Sequence, residues 1–242
     1  MSTLPNALPQ PLEFRSTFNA LLALLGGREK ARCAAPRPTP RTSDCPTFAL
    51  IEHAGPDRAQ AENFISQRFF ESFGCHVESF MPRLFSLRDQ DGKTCGAFGL
   101  RSASRKLFLE QYLDTPIEQA VAARVGQAIE RQSIVEVGHF SGAFPGAVRA
   151  MICLLTERLH REGYTWVTFT GTASLRNAFS RMGLSPLDLQ AATADRLPAD
   201  ERAAWGSYYQ HAPHVVVGNI REGYEALCDS AARAAGRLER AA

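Results

Sequence analysis

A carboxylate set into an apolar run is the most informative residue of this sequence. Glu136 stands within Ile134-Val135-Glu136-Val137, a run of strand type. A charge in such a strand costs several kcal/mol unless it is paired, hydrated or protonated. Two readings are open: a side chain on a solvated strand face with Val135 and Val137 turned inward, or a buried group with chemistry to do. His139 follows on the same strand and is expected on the face of Glu136. Together they would remove a proton from an attacking amine or alcohol; otherwise the histidine caps a loop at the strand end. Next come Gly142, Ala143, Gly146 and Ala147, small residues that carry the chain from strand into helix. Such a turn aims free N–H groups and the positive end of a helix dipole at one spot, which suits a pyrophosphate, or it serves packing alone. Arg149 would add charge-assisted contacts. Arg101, at the end of an earlier strand, and Glu110 and Asp114, which flank Tyr112, are surface charges or site residues. No serine stands in a nucleophile-elbow motif and no cysteine has an assignable histidine, so direct transfer is expected over a covalent enzyme intermediate.

The elements that must hold these residues follow from periodicity. Thr47-Phe-Ala-Leu-Ile-Glu-His53 reads as a strand and Asp57 to Phe73 as a helix, with Ala61, Phe64, Ile65, Phe69 and Phe73 at helical intervals. Two strand-like runs, PRLFSLRD and TCGAFGLRSA, flank Gln90-Asp91-Gly92-Lys93, and the Asp-Gly pair predicts an antiparallel hairpin. Residues 107–129 read as helical, divided at Pro116. The centre is a βαβα run: a strand over Ile134 to Phe140, a helix over Phe144 to Glu162, a strand at Trp166 to Phe169, and a short helix from Ser174 to Met182 stopped by Gly183. A right-handed crossover would set its two strands parallel or splayed, with a cleft at their carboxyl ends. His214 to Ile220 is the last strand, and the tail after Tyr224 (224–242) reads as a surface helix. Residues 1–46, rich in proline, read as an extension bearing one apolar helical stripe from Phe14 to Leu25, and 47–223 as the main domain.

Composition narrows the class. A chain of 242 residues with 45% hydrophobic and 21% charged residues can bury a sizeable core. A net charge of +2 gives no basic excess for nucleic acid. The six cysteines show no metal-ligand spacing, which predicts reduced thiols and no metal. No apolar run reaches the roughly 20 residues of a bilayer span, and the basic residues follow rather than precede the apolar stretch near Leu25, so a cytoplasmic protein is expected.

The runs LFLEQYLDTPIE (107–118), IVEVGHF (134–140), WVTFTGTASLRNAFSRMGL (166–184) and WGSYY (205–209) resemble the bacterial thermostable haemolysin family. The order of elements is similar, more distantly, to acyl-homoserine-lactone synthases. The resemblance implies a GNAT-like α/β fold: a mixed, mostly antiparallel central sheet with splayed strands and helices on both faces. It further implies an enzyme, an N-acyltransferase that moves an acyl group from acyl-CoA or an acyl carrier protein to a small-molecule amine, of the kind that forms secondary or signalling metabolites. Under it Glu136, which matches the synthases' strand glutamate, is catalytic, and His139 joins it as a catalytic residue through its place on the same strand. Val137, Gly138, Phe140, Ser141, Gly142, Ala143, Gly146, Ala147, Arg149 and Asn177 would bind the donor's phosphopantetheine. Arg101, Glu110, Phe169 and Thr170 would bind the substrate. The lactone synthases commonly carry arginine near His139, and their N-terminal tryptophans have no counterpart in residues 1–60. The readings outside catalysis are a GNAT-like module that binds an acyl carrier and regulates a partner, and a membrane-active toxin; a homodimer is a further expectation.

Overall fold

The structure, a computed structural model, describes residues 48–239. The expected extension over 1–46 and its apolar stripe lie outside them. Strand β1 (Ala49–His53) leads through a tight turn to helix α1 (Arg58–Phe73), which Gly74 stops by adopting φ 66°. Strands β2 (Arg83–Arg88) and β3 (Thr94–Ser102) form the hairpin that Asp91-Gly92 predicts, with Gly92 at φ 76°. Of the helical stretch expected over 107–129, the first half is only a 3-10 turn, Leu109–Tyr112, and helix α2 (Ile117–Val125) follows Pro116.

The βαβα centre is present as β4 (Ile134–Gly142), α3 (Pro145–Arg161), β5 (Trp166–Gly171) and α4 (Ala173–Arg181). After it come β6 (Leu187–Ala191), a one-turn α5 (Ala199–Arg202), β7 (His214–Asn219) and α6 (Ile220–Glu239). The sheet runs β1-β2-β3-β4-β5-β7-β6, antiparallel throughout except for the β4–β5 pair. Strand β6 was not expected from the sequence: it spans five residues at the sheet edge and buries none of them fully.

Alternation along the strands separates two cores. Val135, Val137, Phe98 and Leu100 face α3 and α6, where Met151, Leu155 and Leu227 close the layer. On the opposite face Ile134 and Trp166 meet Leu109, Tyr112 and Ile117, while Leu84 and Ala97 meet Ile65 of α1. The C-terminal helix therefore differs from the surface helix expected: Ile220, Leu227 and Ala231 are buried. Its alanines and arginines mask an apolar stripe at helical spacing.

Candidate active site

Strands β4 and β5 pair from Ile134 opposite Trp166 to Val137 opposite Phe169 and, among the described residues, no further. Yet β4 runs on to Gly142 and β5 to Gly171, each held on its outer side by an antiparallel neighbour. The two strands part as a V, and among the described residues no strand lies against the inner main-chain edge of β4 beyond Val137.

A bulge coincides with the parting. Register slips between Ala97 and Gly99, so that Phe98 alone faces both His139 and Phe140. His139 takes φ 56°, in the left-handed region that costs an L-residue roughly 1–2 kcal/mol. The expectation that His139 shares a face with Glu136 needs this bulge. The two stand an odd number of positions apart, and a regular strand would turn them to opposite faces. The inserted residue returns the imidazole to the Glu136 face, where it packs on Phe69 of α1 and on Phe80. No hydrogen bond or ion pair joins Glu136 to His139, so the structure brings them to one face without coupling them directly.

Glu136 lies on a buried face, 2% exposed. Its oxygens accept the main-chain N–H groups of Phe108 at 3.0 Å and Leu109 at 2.9 Å. The guanidinium of Arg101, its cross-strand neighbour, is 3.9 Å away. Burial pushes the carboxyl above its ordinary value, and the two amides and Arg101 pull it back. Burial acts the other way on His139: with Arg101 and Arg58 nearby it brings the imidazole down to about 4, against the hydrogen bond it makes to the Ser79 main chain. Near pH 7 the ring is neutral. Its Nδ1 is buried without a partner, and a nitrogen so placed can take a proton or a hydrogen bond from something brought to it.

At the start of α3, Pro145 has no N–H to offer, and the geometry of a helix start leaves the amides of Gly146 and Ala147 unbonded within the helix. The Ala143 N–H is spent on the Cys95 carbonyl at 2.9 Å, so it is not one of the free donors expected of this turn. The carbonyl of Gly142 accepts from the Arg68 guanidinium at 3.2 Å, a contact that reaches from α1 to the free edge of β4. Nothing in the sequence distinguished Arg68 from other surface charges of its helix.

The remaining candidates spread out. Val137 is buried in the α3 core, Phe140 stacks on Phe98, and Ser141 donates to the His139 carbonyl at 3.0 Å. Gly138 lies beneath Met81, and Gly142 beneath Val148 and Met151. Arg149 is half-buried on α3, and Asn177 is exposed on α4. Phe169 is buried against Phe179, while the Thr170 carbonyl accepts from Tyr208 at 3.4 Å. Glu110 is committed to scaffolding: it binds Arg131 at 2.6 Å and accepts the N–H groups of Leu107 and Ile117, which hold its carboxyl down to about 2. Trp205, Tyr208 and Tyr209, to which no site role was assigned from sequence, pack on Phe73, Phe108 and Tyr112 over the Glu136 face.

A family profile described as thermostable hemolysin matches residues 51–224. Among curated proteins none matches this sequence. Of solved structures, the chain is similar to TofI in an apo form, with 16% identity, 76% of this chain and 96% of that one covered, and a TM-score of 0.52. It is also similar to FeeM, an N-acyl amino acid synthase from uncultured soil microbes (10% identity, 74% and 93% covered, TM-score 0.49), and to the AHL synthase LasI (11%, 72% and 91%, 0.49). The likeness to TofI is one of fold, and the sheet observed here is the mixed, mostly antiparallel one with helices on both faces that the sequence runs imply.

Proposed function

The chain belongs to the thermostable hemolysin family, and on that premise we propose that it is an N-acyltransferase that moves an acyl group from the thioester of acyl-CoA or an acyl carrier protein to a small-molecule amine. One observation carries the reading: β4 parts from β5 at a bulged residue, leaving a main-chain edge open beside a helix start. A pantetheine arm, itself a chain of amides, would pair with that edge in place of the missing strand. The amides of Gly146 and Ala147 would meet its phosphate end. Main-chain N–H groups of the 137–142 stretch would polarise the thioester carbonyl as negative charge develops on its oxygen. The amine nitrogen attacks the carbonyl carbon, the C–S bond breaks, and the sulfur leaves as a thiol. The proton lost by the amine passes to Nδ1 of His139 or to Glu136 and then to the departing sulfur.

The test is release of free thiol from acyl-CoA or acyl carrier protein across a panel of amines, with Glu136→Gln as the variant. If Glu136 handles the proton, turnover falls by about 10²-fold or more while donor binding is kept. An unchanged rate removes that role.

A second reading has its own observation. Both oxygens of Glu136 are already occupied by the Phe108 and Leu109 amides, as in a carboxylate that only buttresses the 3-10 turn. A GNAT-like module that binds an acyl carrier and regulates a partner enzyme would need no more. Donor binding without thiol release for any acceptor supports it.

A further inference from the structure

Next to Glu136, on the same face of the sheet, two glycines stand opposite each other: Gly99 on β3 and Gly138 on β4. With no side chain on either, the sheet carries a shallow trough there, and Met81 lies in it. A Cβ built on Gly99 would come within 2.3 Å of Met81 Cβ, and one built on Gly138 within 2.3 Å of Met81 Cε. The walls are apolar, from Ile65, Leu84, Phe69 and Phe80, and Met81 is 4% exposed.

Resting on the acyl-transfer reading, we propose that this trough is the seat of the donor's linear acyl chain and that Met81 sets how much of that chain fits. Position is the first argument. Helix α3, whose start would hold the phosphate end of a donor, packs on the other face of the sheet, against Gly96 and Gly142. A donor that runs from that helix start through the V, with its carbonyl at the bulge, brings its acyl end out on the Glu136 face. The trough begins there, since Gly138 directly precedes His139, whose ring meets the same Phe69 and Phe80. The present occupant is the second argument. Methionine is an unbranched, flexible thioether chain, the side chain nearest in shape to a short alkyl chain and the one that repacks most readily. The third is how Met81 is held. Its segment is tied by polar contacts that can break and re-form: Arg58 donates to the Met81 and Pro82 carbonyls at 2.6 and 2.7 Å, and His139 binds the Ser79 main chain.

The experiment is calorimetric titration of the full chain with acyl-CoAs from butanoyl to hexadecanoyl and with the matching acyl-phosphopantetheines, the portion common to CoA and an acyl carrier protein. Wild type, Met81→Ala and the milder Met81→Val are compared, and the valine variant keeps the test open if the alanine variant fails to fold. Affinity is expected to rise about four-fold per methylene until the trough is full, then level off. In Met81→Ala the levelling point moves to chains longer by about three carbons, matching the γ, δ and ε atoms removed, and Met81→Val moves it less in the same direction. Identical chain-length profiles in the three proteins overturn the trough assignment and leave acyl transfer standing. Absence of binding by every thioester, in wild type and variants alike, overturns both.

Discussion

At His139 the backbone holds a conformation that β-carbon sterics oppose, and the ring it carries is kept neutral by burial. Each property makes a prediction. Asparagine tolerates the left-handed region better than most residues, so His139→Asn should fold with little loss on account of the backbone. His139→Val should cost about 1–2 kcal/mol more than His139→Asn in urea unfolding; equal losses would mean that the bulge relaxes. The pH dependence follows from an imidazole lowered from 6.5 to about 4. Between those values the unfolded chain binds more protons than the folded one, so stability rises with pH across that window, by on the order of 3 kcal/mol at most. Glu136, whose carboxyl is raised, works with the opposite sign above pH 4.5. The contribution of His139 is therefore read as the difference between wild type and His139→Asn, and the variant should show the flatter rise. A slope equal in both would place the depressed group elsewhere.

At the scale of elements, the segment that seats Glu136 depends on Glu110 and Arg131. Glu110 binds Arg131 and accepts two main-chain N–H groups at the ends of the Leu107 to Ile117 stretch, which itself supplies the Phe108 and Leu109 amides to Glu136. Removing the guanidinium with Arg131→Met should cost about 1–3 kcal/mol, because it leaves a largely buried carboxylate short of its strongest partner. Glu110 is held down to about 2, so its contribution is present above pH 4.5 and fades as the pH falls toward 2. The variant should lose that acid-side dependence; wild-type behaviour would show that the two amides suffice. These roles explain part of what the sequence could not show. Periodicity and Asp91-Gly92 were enough to place β1 to β5 with α1, α3 and α4, but not the 3-10 turn over Leu109–Tyr112 that was expected as helix. The partner of Glu136 was hidden, because it is main chain and leaves no mark on residue identity. The bulge was hidden too: Gly138 is the residue that a left-handed position would favour, yet the positive φ falls on His139, and Gly138 is required instead to admit Met81. Among the phenylalanines, Phe69 and Phe80 reach His139, whereas Phe85 stacks on Phe98 in the core of the other face.

At the largest scale, the described residues form a sheet of seven strands opened at one seam, and the groups best placed to act lie along it: the free edge of β4, the start of α3, and Glu136 and His139 on the far face. No described helix is long and apolar enough to cross a membrane. If the seam receives a thioester, the donor binds the folded chain and not the unfolded one, so it must raise stability. The measurement that bears on this most directly is thermal unfolding of the full chain with CoA, short and long acyl-CoAs, and acyl carrier proteins. A donor at about 100 times its dissociation constant adds roughly 2.7 kcal/mol, which for a chain of this size raises the midpoint by roughly 5–10 °C. Such a shift, graded by acyl length, is the expected result; an unmoved midpoint with every thioester would contradict acyl transfer at the seam.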